Sequence, residues 1–349
     1  MAPDISNVAI LIGSLLVILL SCEIFVNGIE WLGRRLGISE CATGSILAAV
    51  GTAMPETIIP IIAIFLGSAE EGEKIGEGAI LGAPFMLSTL AMFVGGLTVM
   101  VGFRRKRRSD RLVVDSDHVE RDLEFFIVMY ALALLAGMFG FWGVFDHRYF
   151  NYALAAVLLF AYGFYLLRTW KAEVVEAKNE CAPMYLSRLF GLPVDRGRLG
   201  FAMILLQVAS SLIGIIIGAK FFVEEVEHVS ASVGIPPMIL AFLIAPVATE
   251  LPEKFNSIIW YWRGRDTLAL GNITGAMVFQ SSFPVSVGLL FTAWMLEPIN
   301  IASIVIALMA AGWILYSVKR HKSITYRTML ATGSLYATYI AMLLVFGTS

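Results

Sequence analysis

Charge is what this sequence has least of. Only 15% of its 349 residues are Asp, Glu, Lys or Arg, while 58% are hydrophobic; soluble domains carry about a quarter charged residues. That scarcity excludes the two or three soluble domains that length alone suggests. Cysteine is nearly as rare. Cys22, Cys41 and Cys181 have no metal-ligand spacing and no even count for a disulfide framework, so they read as free thiols. The histidines (His118, His147, His228 and His321) fall in or beside loops. None stands at membrane depth, where a membrane-embedded hydrolase needs a metal ligand or a base. The basic residues have no aromatics interleaved with them, which excludes a nucleic-acid partner. A signal peptide is excluded too. The start, Met1-Ala2-Pro3-Asp4, lacks a basic region, and the first apolar run lacks a small-residue cleavage site.

Long apolar runs are present instead. A spanning helix needs about 20 mostly apolar residues. Ten segments qualify: 7–33, 42–67, 77–102, 123–142, 149–169, 199–224, 236–262, 267–295, 299–318 and 326–347. The expected fold is an all-α polytopic membrane protein, with the bilayer as its partner and no protein partner evident. The loops after odd-numbered helices hold 21 Lys and Arg; those after even-numbered helices hold only Lys74 and Arg148. By the positive-inside rule the odd loops face the cytoplasm. Both termini then face outward, in the cell membrane. The tract Arg104-Arg105-Lys106-Arg107-Arg108 serves as a topology determinant, and anionic lipid is attracted at about 1 kcal/mol per basic residue.

Two stretches inside these runs are echoes of each other. Gly51-Thr52-Ala53-Met54-Pro55-Glu56 corresponds to Ala248-Thr249-Glu250-Leu251-Pro252-Glu253, 197 residues further on. The same offset superposes Phe25-Val26 on Phe222-Val223, Glu30 on Glu227 and Gly37-Ile38 on Gly234-Ile235. The chain therefore divides into two five-helix halves, 1–169 and 199–349, joined by a polar cytoplasmic linker, 170–198. An odd number of helices per half sends the second half into the membrane from the opposite side. The halves are inverted repeats, an arrangement typical of transporters. Glu56 and Glu253 can then meet near the midplane.

An acid at membrane depth marks a functional site by default. Here each acid follows a proline, which cannot donate to the carbonyl one turn earlier. Gly44, Gly51 and Pro55 predict a break in the second helix, and Pro246 and Pro252 predict one in the seventh. Freed carbonyls around Ala49–Thr52 would join the carboxylates as hard oxygen ligands, suited to sodium, magnesium or calcium. Asn272, Thr274, Gln280, Ser281 and Ser282 on the eighth helix are further ligands or else interhelical hydrogen-bonding groups. Glu23, Asn27 and Glu224 line vestibules or anchor at the interface.

Gly51-Thr52-Ala53-Met54-Pro55-Glu56, with Gly37-Ile38-Ser39-Glu40 leading into it, resembles the first α-repeat of the calcium/cation antiporter superfamily, which includes the sodium/calcium exchangers. Gly78-Ala79-Ile80-Leu81-Gly82-Ala83 and Gly271-Asn272-Ile273-Thr274-Gly275-Ala276 look like the second part of each repeat. The resemblance spans the whole chain. It implies cation sites built from Glu56, Glu253, Thr52, Thr249 and the Ala49 carbonyl. The chain also departs from the pattern. The family's serine after the threonine is Ala53 in one copy and Glu250 in the other. Its Gly-Ser-Asn becomes Ala83-Pro84 and Ala276-Met277, and the next Asn or Asp falls on Leu87 and Gln280. Neutral oxygens are lost and one carboxylate is gained.

The expected function is alternating-access antiport, with no resident cofactor. A divalent cation, calcium first, exchanges for sodium; the metal ligands are Glu56, Glu253, Thr52, Thr249, Glu250, Ala49, Gln280 and Asn272. The first and sixth helices move against the remaining core. Glu250 and Glu253, three apart on one helix face, would form a three-acid cluster with Glu56, and like charges raise one another's pKa. Proton coupling is therefore the alternative, as is another divalent metal. Lys254, beside Glu253, faces lipid headgroups or a neighbouring helix, or else stands in for a bound sodium. A channel would need a repeated selectivity filter, and none is visible.

Overall fold

The computed structural model describes residues 5–36, 54–142, 147–173, 183–190 and 198–346. Among these the chain is helical almost throughout, in the short linker helix Tyr185–Phe190 and in ten passages. They are Ile5–Arg35, Met54–Leu66, a third passage running from Ala69 to Arg104, Ser116–Trp142, His147–Glu173, Arg198–Val233, Pro237–Trp262, an eighth in two pieces (Asp266–Gln280 and Phe283–Phe291), Pro298–His321 and Tyr326–Phe346. Seven of them are long and apolar enough to cross a membrane by those criteria alone. The other three are the second, whose upstream part lies outside the described residues, the seventh, whose apolar stretch ends at Val247 before its acids, and the tenth. Most observed ends lie within four residues of the expected ones; the third, fourth and sixth helices run further.

Two compact units make up the chain. The first comprises 1–72 and 163–234. In it the first and sixth helices lie along each other, with Ile18, Ile215, Ala219 and Phe222 buried. The contact is close at Gly218, where a Cβ would lie 2.9 Å from Ile18 Cγ1. Small residues let helices approach in a membrane, where dispersion rather than water exclusion drives association. At the end of the second helix, the Ser68 hydroxyl donates to Glu227 at 2.9 Å.

The second unit comprises 73–162 and 235–349. Its loops test the charge-based orientation. The loop after the third helix carries strand β1 (Arg111–Leu112), which pairs antiparallel with β2 (Ile324–Thr325) in the loop after the ninth. Arg108, in the first of these loops, donates to Asp266 at 2.7 Å, where the loop after the seventh helix ends. Three odd loops thus lie at one end of the unit, as the segregation of basic residues requires.

Candidate functional site

The seventh helix corrects one expectation. It runs unbroken from Pro237 to Trp262 despite Pro246 and Pro252. Transmembrane helices tolerate proline when neighbours or hydroxyls compensate the missing amide. A neighbour is present here. Pro246 cannot donate to the Phe242 carbonyl, and that carbonyl lies against Gly82 of the third helix, so closely that any Cβ there would clash. One turn away Gly78 meets the Met238 carbonyl in the same way. The Thr249 hydroxyl meanwhile donates to the Ala245 carbonyl at 2.9 Å.

On this helix Glu250 is 2% exposed and accepts a hydrogen bond from Gln280 Nε2 at 3.2 Å. Gln280 is 1% exposed, and its Oε1 has no hydrogen-bond partner among the described residues. It is also the last residue before the eighth helix breaks at Ser281-Ser282. Both serine hydroxyls donate back to the Val278 carbonyl, at 3.1 and 2.7 Å.

The third helix repeats this local design. At the corresponding place, Leu87–Ala91, it opens into a π-turn. Ser88 and Thr89 donate back to the Phe85 carbonyl, at 3.1 and 2.5 Å. Ser88, Thr89 and Phe85 precede Ser281, Ser282 and Val278 by the same 193 residues that separate Gly78 from Gly271. The internal repeat is therefore visible in its hydrogen bonds as well as its letters. Insertions and breaks of this kind recur at functional sites, because they turn backbone carbonyls out of the helical ladder.

Glu56 is 6% exposed, on the first described turn of the second helix. Pro60, four residues on, cannot supply the helical amide to its carbonyl. Glu253 stands on the seventh helix, but its side chain and that of Lys254 lie outside the described residues, as do Ala49 and Thr52 entirely. The break expected near Gly44 and Gly51 lies there too. Asn272 Nδ2 donates to Ser257 Oγ at 3.0 Å, tying the eighth helix to the seventh. Ser281 and Ser282 are engaged with their own helix. Among the described residues no three acids, cysteines or histidines converge as a metal cluster.

A model of the sodium/calcium exchanger protein family matches residues 6–171 and 203–345. The chain belongs to that family. The sodium/calcium exchanger MaX1 of Methanosarcina acetivorans is 25% identical over 342 residues, covering 88% of this chain and 92% of that one. Two solved structures share the fold. The H+/Ca2+ exchanger CAX superposes with a TM-score of 0.72 at 17% identity, over 97% of this chain and 82% of that one. The sodium-calcium exchanger NCX_Mj superposes with a TM-score of 0.55 at 20% identity, over 97% and 98%. The ten-helix architecture of inverted repeats follows, and the chain is a membrane antiporter of cations, not an enzyme.

The exchanger also holds buried acids that sequence reading passed over. Asp122, fully buried on the fourth helix, accepts from Thr274 Oγ1 of the eighth at 2.8 Å, and His118 Nε2 lies 3.4 Å from it. Thr274, a candidate ligand by sequence, is thus engaged with a carboxylate. Glu77 is 7% exposed on the third helix, hydrogen-bonded by the Thr292 side chain and the Trp294 backbone. Neither acid lies in a proline motif, and each stands at the edge of an apolar run, so the sequence carried no signal for them.

Proposed function

We propose that this exchanger moves a divalent cation, calcium first, in exchange for sodium by alternating access. Glu56 and Glu253 carry the central charge. Thr52, Thr249, Glu250, Asn272, Gln280 and the Ala49 carbonyl complete the ligand set. The observation that carries this reading is the matched pair of helix irregularities at 87–91 and 281–282, one in each repeat, with buried Glu250 bonded beside the second. Carboxylates and carbonyls suit a hard cation. Mutual exclusion couples the two ions, because a charge cluster stripped of cations is costly to reorient in the membrane. The halves 1–169 and 199–349, joined by 170–198, are the two repeats; the twofold family match supports the division. The first and sixth helices, packed together in their own unit, form the moving element. The protein sits in the cell membrane with both termini outside.

One observation favours a second reading, proton-coupled exchange. Gln280 presents its amide nitrogen to Glu250. That hydrogen bond engages one carboxylate oxygen that would otherwise be free to bind a sodium ion.

The test is radiolabelled calcium uptake into proteoliposomes under an outward sodium gradient, an outward proton gradient or none. Sodium-driven uptake supports the first reading and proton-driven uptake the second. Glu56→Gln and Glu253→Gln should each abolish uptake, by at least about a hundredfold, in protein that still folds. Normal flux in either removes the proposed site.

A further inference from the structure

A polar assembly outside the cation ligands lies inside the first unit, where the linker meets two transmembrane helices. Asn27 of the first helix and Gln207 of the sixth are 5% and 1% exposed. Gln207 Nε2 donates to Asn27 Oδ1 at 3.0 Å and to the Ile24 carbonyl at 2.9 Å. The two side-chain oxygens then accept from the linker backbone. Leu186 N–H donates to Gln207 Oε1 at 2.9 Å, and Tyr185 N–H donates to Asn27 Oδ1 at 3.2 Å. Asn27 Nδ2 reaches back to the Pro183 carbonyl at 3.5 Å. Beside them Met184, 1% exposed, packs with Met203 and Ile204 of the sixth helix, flanked by Trp31 and Leu32 of the first. The Tyr185 hydroxyl donates to Glu23 at 2.5 Å.

We propose that Asn27 and Gln207 are positioning residues that fasten linker residues 183–186 across the first and sixth helices, so that helices and linker travel as one body in the transport cycle. This rests on the reading of those two helices as the moving element. The chemistry makes the attachment hard to release. Each polar atom of the Gln207 carboxamide is committed. If the segment left, buried Gln207 Oε1 and Asn27 Nδ2 would lose the linker partners described above, the costly half of the hydrogen-bond balance. The docked helix, Tyr185–Phe190, has six residues, too few to persist in water alone. It is ordered because the transmembrane pair supplies acceptors for its first amides, which have no partner within the helix. Those two bonds go to backbone, while the Leu186 side chain adds apolar contact to the cluster of Met184, Met203 and Ile204. Asn27, expected from the sequence to line a vestibule or anchor at the interface, is hydrogen-bonded to the linker and to Gln207.

Hydrogen exchange on the intact protein in proteoliposomes tests the docking. In wild type the amides of Tyr185 and Leu186 should exchange at least about a hundredfold more slowly than free peptide. Gln207→Leu and Asn27→Leu should each speed that exchange at least about tenfold, with the seventh-helix peptides unchanged as a control on folding. Tyr185→Pro deletes the amide that Asn27 accepts, at a first helical position that suits proline. Tyr185→Ala removes only the bond to Glu23. Turnover should fall about tenfold in Gln207→Leu and Tyr185→Pro, at an unchanged half-saturating cation concentration, and stay near wild type in Tyr185→Ala. Unprotected linker amides in wild type, or protection surviving both leucine variants, would overturn the docking. Faster exchange with unchanged turnover would overturn the coupling to transport. No cation uptake by wild type would instead sink the functional reading, while the exchange rates still decide the docking.

Discussion

Glu250 illustrates how much one position can change. Where the related pattern has a serine hydroxyl, this chain places a buried carboxylate held by Gln280. A serine oxygen serves a sodium ion as a neutral ligand; a carboxylate can also take a proton. Glu250→Ser should therefore change the ion preference and increase the benefit of a sodium gradient, because a charged ligand is exchanged for a neutral oxygen. Calcium uptake measured with and without the sodium gradient decides it, and superimposable curves would make Glu250 a bystander. Glu250 was legible in the sequence because it stands in a duplicated motif. Asp122 was not: nothing near it in sequence distinguishes it, and its partner Thr274 comes from the eighth helix.

At the scale of elements, the seventh helix shows proline overruled by packing. The expected break did not occur, and the carbonyl deprived by Pro246 lies against Gly82 of the third helix. Gly82 has no room for a methyl group. Gly82→Ala should cost about 1–3 kcal/mol, the usual range for overpacking a tight contact. Gly163, with open space around its Cβ position, should behave in the opposite sense. There alanine should stabilise by about 0.5–1 kcal/mol through backbone entropy alone. Thermal melting in one detergent compares the two, and equal shifts would refute the packing account. The π-turn at Leu87–Ala91 and the break at Ser281-Ser282 were not foreseen in the sequence. Serine and threonine are common in membrane helices, and only the paired carbonyls, Phe85 and Val278, reveal what they do.

At the scale of the molecule, ion pairs of the basic loops brace the chain. Lys322, after the ninth helix, lies 2.7 Å from Glu120 and 3.9 Å from Asp117 at the start of the fourth. The hydrogen bond to Glu120 raises the lysine above its ordinary range. A raised folded-state pKa means that the stabilisation is complete below the unfolded value and is lost only as pH climbs through the folded one. The melting difference between wild type and Lys322→Met should thus stay constant from about pH 6 to 9 and shrink only in stronger alkali; a gap that narrows across the neutral range would contradict the pairing. The sequence alone determined the passages, their inverted repetition and the segregation of basic loops, because apolar length, motif offset and charge count are properties of a chain read in one dimension. Only the tertiary structure decided that Gln280 donates to Glu250, that Gly78 and Gly82 lie against the seventh helix, and that Asn27 and Gln207 hold the linker. The partner of an amide or a bare backbone is set by which helices approach it, and that approach is a property of packing rather than of neighbours in sequence.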